Sequence, residues 1–412
     1  MTERRQRVPD VFDEAHRRCH AGELVALATV VATWHSAPQP PGATMLVAVD
    51  GTVTGSVSGG CVEADLYERA RRVLATGAPE LIRYGISDDD AYAVGLTCGG
   101  VLDVFVERVD PGALSGLDAV AAARRAAQPA AVVTCVAADA GGAPNVVGNA
   151  PAGAGDPTGG PGDPTGAMSS DPARRLGRRL VLTGGQRPIG SLGDDRLDDA
   201  ASADALGLLA AGHSGMLRYG YSGQRRGSGV SLFVTAYATP PRMIVFGAID
   251  FAAAVARIGA FLGYRVTVCD ARPVFTTARR FPEADEVVVQ WPHRYLRTEL
   301  DAGRVDERTV VCVLTHDPRF DVPLLELALR HPLAYVGAMG SRRTHDDRLK
   351  LLGEAGLTEA QLTRLASPIG LDLGGRTPEE TAVSVAAQIV AARWGGTGRP
   401  LAALDGPIHR PG

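Results

Sequence analysis

Apolar residues in this chain fall into two kinds of stretch, short β-branched runs and longer segments in which they recur every three or four positions. The first kind predicts strands and the second helices. Asp10 is placed to cap a helix running to about His20, with Gly22 just past its end. Leu24 to Thr33 reads as a buried strand, and Pro38, Pro40 and Pro41 make the next segment a loop. Ala43–Val49 and Thr52–Val57 form a hairpin through Asp50-Gly51. Glu63 to Thr76 is helical, with Leu66, Ala70, Val73 and Leu74 on one face and Gly77 as its stop. Leu81–Tyr84 and Val101–Glu107 are further strands.

The pattern then repeats. Gly190-Ser191 through Arg218-Tyr219-Gly220 stands at a constant offset from Gly55-Ser56 through Arg83-Tyr84-Gly85, and Leu74-Ala75 and Gly77 recur as Leu209-Ala210 and Gly212. Ala131–Ala137, Val181–Gly184 and Ser231–Tyr237 mirror the earlier strands, so residues 1–238 are expected to form an α+β domain built by internal duplication. Residues 141–172 are rich in Gly, Pro, Ala and Asp, repeat Gly-Asp-Pro-Thr-Gly, and are expected to be disordered. From Thr239-Pro240-Pro241 onward, strands at 242–247, 265–269, 286–289, 310–314 and 333–336 alternate with helices to Leu262, from about Asp321 to Arg330 and from Arg342 to Gly353. That alternation predicts a Rossmann-like, doubly wound parallel sheet over 239–412, in an α/β chain. A last helix opens with the capping box Thr377-Pro378-Glu379-Glu380 and runs to Arg393.

Composition narrows the partners. The 412 residues are 45% hydrophobic, enough for two or three cores, and the net charge of −4 comes without a basic run, which argues against nucleic acid. No apolar run is long enough to span a bilayer, and the charged opening Met1 to Arg18 lacks the apolar core of a signal peptide. A cytoplasmic protein is expected. The six cysteines, without any Cys-x-x-Cys pair, favour neither a disulfide framework nor a self-contained zinc site. Cys135, Cys269 and Cys312 sit inside apolar runs and read as core.

Cys61 and Cys98 differ. They lie in Gly55-Ser56-Val57-Ser58-Gly59-Gly60-Cys61-Val62-Glu63 and Gly95-Leu96-Thr97-Cys98-Gly99-Gly100, each beside a glycine pair. Cys61 is expected in the first turn of the Glu63 helix, where N–H groups and the helix dipole suit an anion and favour a thiolate. The plainer alternative is a tight turn around an inert thiol. The second copy has Arg196 in place of Cys61 and Asp194-Asp195 in place of the glycines, so the fold does without them there. In the C-terminal half, the strand ends carry Gly247, Asp270, His316, Asp317 and Gly340-Ser341-Arg342-Arg343. Asp270 follows Gly247 at the spacing of an acid that holds a ribose hydroxyl, but the glycine fingerprint reads Gly247-Ala248-Ile249-Asp250. Ser341, Arg342 and Arg343 offer an alternative phosphate cradle, and the plainer readings are a solvated helix face and, for His316, a turn residue.

Taken together, Ser36-Ala37-Pro38 through Pro41-Gly42, Gly55 to Glu63, Gly95 to Gly100, Val266 to Pro273, Tyr335-Val336-Gly337 with Gly340 to Arg343, and Ile369 to Asp372 with Arg376 to Glu380 resemble the XdhC/CoxI family of accessory factors for molybdenum hydroxylases. The family usually has Gly-x-Gly-His where Gly247-Ala248-Ile249-Asp250 stands and Trp-Gly-Ser where Trp34-His35-Ser36 stands. The resemblance implies a chaperone, not a turnover enzyme, that binds the molybdenum cofactor (molybdopterin). It would protect the cofactor during sulfuration by a cysteine desulfurase and hand it to an apo-hydroxylase, with a homo-oligomer expected. Cys61 and Cys98 would ligate the metal. Ser58, Gly59, Gly60, Glu63, Gly99 and Gly100 would contact the cofactor, and Ser341, Arg342 and Arg343 would take its phosphate. An NAD(P)-dependent oxidoreductase and a sulfur or nucleotidyl transferase acting on the cofactor are the alternatives.

Overall fold

The structure, a computed structural model, describes residues 10–34, 37–85, 100–138 and 175–405. The chain divides after Thr239 into two compact units.

In the first unit, Asp10 accepts a hydrogen bond from the Phe12 N–H at 2.9 Å and starts α1 (Val11–His20). Strands β1 (Val25–Trp34), β2 (Thr44–Ala48) and β3 (Val53–Gly55) precede α2 (Glu63–Thr76), and β4 (Glu80–Tyr84) and β5 (Val101–Val109) complete the first sheet. A connecting helix, α3 (Leu114–Arg125), leads to β6 (Ala130–Ala138), β7 (Arg179–Thr183), β8 (Ile189–Gly190), α4 (Asp195–Ala211), β9 (Gly215–Tyr219) and β10 (Val230–Tyr237). The sheets run β3-β2-β1-β5-β4 and β8-β7-β6-β10-β9, one order used twice. Even the irregularities correspond: Val31 is the extra residue of a bulge in β1 and Val136 of one in β6. A bulge re-aims the residue it inserts, and these two valines meet Phe105 and Phe233 in one small apolar cluster.

Helix α3 has no counterpart in the expected elements. Its sequence is rich in alanine, with little contrast between faces, and its place is set by tertiary packing of Val120, Ala121 and Ala123 against Phe12, Ala130 and Val181.

The second unit contains β11 (Arg242–Phe246), α5 (Asp250–Phe261), β12 (Arg265–Asp270), β13 (Glu286–Val289), α6 (Pro292–Asp301), β14 (Val310–Val313), α7 (Pro318–Leu329), β15 (Tyr335–Ala338), α8 (Arg342–Glu354), α9 (Glu359–Leu362), β16 (Leu365–Ala366) and α10 (Pro378–Trp394). All six strands are parallel, in the order β13-β12-β11-β14-β15-β16, which is the arrangement of a dinucleotide-binding fold. Alternation along β11 shows why both faces are covered. Met243 and Val245 pack under Val255, Ala382, Val385 and Ile389 of α5 and α10, whereas Ile244 and Phe246 pack under Tyr295, Leu296, Leu324 and Leu352 of α6, α7 and α8. The expected capping box at Thr377 and Glu380 is present. Helix α7 begins at Pro318, three residues before the expected start, because Asp317 caps it and proline suits the first helical position. Among the described residues no helix is long and apolar enough to cross a membrane.

The two copies share a backbone constraint at Gly55 and Gly190, with φ of 83° and 89°. A Cβ at either would lie 2.3 Å from the carbonyl oxygen of Thr44 or Arg179. Gly22 also has positive φ, 79°, but faces open space. In urea denaturation, Gly55→Ala and Gly190→Ala should each cost about 2–4 kcal/mol, the left-handed backbone plus the clash, against about 1 kcal/mol for Gly22→Ala.

Candidate functional site

The stretch from Gly55 to Glu63 is held by one carboxylate. Glu63 Oε1 accepts from Ser56 Oγ at 2.6 Å and from the N–H groups of Val57, Ser58 and Gly59 at 3.2, 2.8 and 3.1 Å. Its Oε2 accepts from Ser58 Oγ at 2.5 Å and from the N–H groups of Gly60 and Val62 at 2.8 and 3.2 Å. The Cys61 N–H goes to Ser58 Oγ at 2.9 Å. Burial alone would raise the Glu63 carboxyl, but the hydrogen bonds from Ser56, Ser58 and the loop N–H groups hold it at about 2. Two expectations are corrected here. Helix α2 starts at Glu63, so Cys61 precedes its first turn. The N–H groups of Gly59 and Gly60 are already satisfied by Glu63, which therefore acts as the loop's internal anion and not as a ligand waiting for one.

What the loop presents outward is different. Val57, Ser58 and Val62 are buried and anchor it, Gly59 and Gly60 are exposed, and Cys61 is half-buried with one side against the core of the first copy. Gly59 and Gly60 have φ of 78° and 124°, and a Cβ at either would meet nothing within 4 Å. Their bare backbone is thus open to a bulky neighbour beside the thiol. Cys98 and Gly99 lie outside the described residues, and Gly100 is buried at the entry to β5.

The second copy shows what this loop replaces. At the same offset, Asp198 stands where Glu63 does and accepts only from the Leu192 N–H, at 2.7 Å. Asp194 caps through the Leu197 N–H, and α4 starts at Asp195, three residues earlier relative to the repeat than α2. The Gly59-Gly60-Cys61 turn is the first turn of that helix, unwound.

In the second unit the expected nucleotide contacts are largely engaged with one another. Asp270 is 3% exposed; its oxygens accept from the Ala248 N–H at 2.8 Å and from the Arg272 guanidinium at 2.9 and 2.7 Å. Burial would raise its carboxyl, and Arg272 with the Ala248 N–H outweighs that and lowers it. A ribose hydroxyl would have to compete with these partners for the Asp270 oxygens. Asp317 is the α7 cap, bonded to the Arg319 N–H and guanidinium. Ser341 caps α8 through the Thr344 N–H at 3.1 Å. Arg342, Arg343 and His316 are exposed at these ends. Gly247 has φ of 117°, and a Cβ there would press on Leu314 and Thr315 at 3.1–3.2 Å, so packing requires it whatever binds.

Two ionic groups escaped sequence reasoning because their partners are far apart in the chain. Arg348, 3% exposed, donates to Asp321 at 3.0 Å, to Ser367 Oγ and to the Met339 carbonyl, tying α8 to α7 and to the segments beyond β15 and β16. In the first unit a cavity of about 420 Å³ lies between the two sheets, lined by Thr29, Thr134, Tyr237 and the ion pair of Glu107 with Arg179 at 2.7 Å.

Glu63 makes the loop sensitive to acid. A carboxyl whose pKa is lower folded than unfolded contributes stability that is complete above the unfolded value, near 4.5, and is lost as pH falls through the folded value, about 2. Glu63→Gln should reduce unfolding free energy at pH 7 by about 1–2 kcal/mol, discounted for a partly solvated group. In urea titrations the gap to wild type should stay constant above about pH 5.5 and close between 4.5 and about 2.

Comparison with known proteins gives these features a family. A profile described as the XdhC Rossmann domain matches residues 243–389, and one described as the XdhC and CoxI family matches 19–85 and 167–220. A Bacillus subtilis protein, named for a probable role as part of xanthine dehydrogenase, is 26% identical over 373 residues, 90% of this chain and 94% of its own. The molybdenum cofactor insertion chaperone PaoD of Escherichia coli is 24% identical over 373 residues, 90% of this chain and 85% of its own. A crystal structure described as a xanthine dehydrogenase from Bacillus halodurans matches with a TM-score of 0.61 and 22% identity over 95% of this chain and 97% of that one, a likeness of fold. With family profiles matched in both units, the chain belongs to the XdhC/CoxI family.

Proposed function

We propose that this protein is a molybdenum-cofactor chaperone that matures a molybdenum hydroxylase. The observation that carries the reading is the Gly59-Gly60-Cys61 turn, a half-buried thiol beside two exposed glycines that no side chain among the described residues covers, in a chain whose relatives include a molybdenum cofactor insertion chaperone. The cargo is a molybdenum centre on a pterin dithiolene, and a thiolate is the soft ligand such a metal prefers. Cys61 supplies it, with Cys98 as the second thiolate. The glycines let a rigid tricyclic ligand approach the backbone, and Glu63 keeps the turn open in advance, so binding costs little ordering.

In this reading the cofactor stays on the chaperone while a cysteine desulfurase provides the sulfur that replaces a terminal oxo ligand. It is then passed to the apo-hydroxylase by direct contact in the cytoplasm, the chaperone acting as a homo-oligomer.

The test is cofactor release. The chain is purified from cells that make molybdenum cofactor, and acid-oxidised supernatants are assayed for pterin fluorescence alongside molybdenum. Wild type should yield both. Cys61→Ser should fall to background while keeping the wild-type urea midpoint. Absence of pterin together with measurable dinucleotide binding would instead favour an oxidoreductase.

A further inference from the structure

We propose that His16, His20 and Asp118 form a binding site for a divalent transition metal of the zinc type, which clamps α1 to α3. The site stands apart from the cofactor reading and uses none of its residues.

Helical periodicity does the first part of the work. His16 and His20 are one turn apart near the end of α1, on one face, with ring centroids 4.6 Å apart. Both Nε2 atoms converge on a single oxygen of Asp118, at 2.8 and 2.7 Å, although Asp118 is on α3, some hundred residues away in sequence. The three ligand atoms all lie within 4.8 Å of one another. A tetrahedral zinc ion with bonds of about 2.0–2.1 Å holds its ligand atoms about 3.3 Å apart, so closure requires the contacts to open by about half an ångström. His16 is 19% exposed, and His20 and Asp118 are each 51% exposed, which leaves a solvent-facing side for one or two waters.

The surroundings suit a ligand set of two imidazoles and a carboxylate. Asp118 offers a carboxylate oxygen and the two histidines an imidazole nitrogen each, donors that zinc accepts. Phe12 lies parallel to the His16 ring, at 6.1 Å between centroids, and restrains it. The other acids nearby have their own partners: Glu14 is bound by Arg17 and Arg18, and Asp10 and Asp13 by Arg124. Exposed hydrogen bonds of this kind contribute little by themselves, whereas metal bonds would fix the two helices firmly.

The position gives the clamp a consequence. Val11, Phe12 and Ala15 of α1 and Ser115, Gly116 and Leu117 of α3 line the cavity between the two sheets. A metal joining the helices would rigidify the wall of that cavity and the helix that connects the two copies.

The alternative is an acid that merely shares hydrogen bonds with two histidines, and the experiment separates the two. The full-length chain, stripped with a chelator, is dialysed against zinc chloride and analysed for bound metal, and separately titrated with cobalt chloride by visible spectroscopy. Wild type should take up one zinc per chain and unfold at a higher temperature with zinc than without. The cobalt spectrum should lack the near-ultraviolet charge-transfer band of thiolate ligands. His20→Ala and Asp118→Asn, both at exposed positions, should lose the zinc and the thermal shift together while unfolding as wild type does without metal. Failure of wild type to bind zinc, equal uptake by the variants, or a thiolate band that persists in His20→Ala would each overturn the proposal.

Discussion

The carboxylate of Glu63 is the constraint on which the Cys61 turn depends. Seen from the backbone, Val57, Ser58, Gly59, Gly60 and Val62 present their N–H groups to a common centre, and a loop of that shape is an anion cradle by construction. Left empty it would leave the part-buried donors of Val57, Ser58 and Val62 without this partner and turn five dipoles on one another. The chain fills it with its own side chain from the first helical position. Glycine at 59 and 60 follows from this, because their positive φ lets successive N–H groups turn inward. The thiol follows as well, since unwinding one helical turn leaves Cys61 at the surface instead of on a helix face.

Duplication makes that argument sharper than a single domain allows. Both copies keep the strand order, the bulge valines and the glycine that passes 2.3 Å from a carbonyl oxygen. These features are what the sheet and its hairpin require, and they recur despite wide sequence divergence. Besides their connecting loops, the copies part in the segment before the helix. Asp194 there caps an ordinary helix start, and the exposed side chain at the Cys61 position is Arg196. The unwound turn is therefore an addition to a framework that is complete without it, and the energetic burden of holding it falls on Glu63.

How far the sequence disclosed this depends on the range of the interactions. The parallel sheet, the repeat and the capping box at Thr377 were legible because periodicity, constant offset and local capping are properties of short stretches. Helix α3 was not, since its alanines acquire a buried face only when Phe12 and Val181 arrive from elsewhere. The same holds for Arg348 with Asp321, for Glu107 with Arg179, and for Asp118 with the two histidines of α1. Motif reading meets a different limit at Asp270 and Asp317. It identified carboxylates at strand ends, but a motif cannot say whether an oxygen already accepts from Arg272 or from the Arg319 N–H of α7.

That occupancy bears on what the second unit does. Its strand order is that of a dinucleotide-binding fold, and Gly247 stands where such folds have the first fingerprint glycine. Yet Gly247 is required by the approach of Leu314 and Thr315, Ile249 packs its side chain against the core, and Asp250 is paired with Arg280 at 3.0 Å. The oxygens that would receive a ribose are bonded to Ala248 and Arg272. A dinucleotide would have to break two charge-assisted contacts and set its pyrophosphate beside the carboxylate of Asp250. The carboxylate at the position where the fold usually takes a ribose thus already carries partners from the chain itself, and the strand order by itself is no warrant for hydride chemistry. What the frame does retain is rigidity at its carboxyl ends, through Arg348 and Asp321, and two guanidinium groups, Arg342 and Arg343, held at the surface by a capped helix. A unit built in this way can present a fixed cationic face without binding a nucleotide.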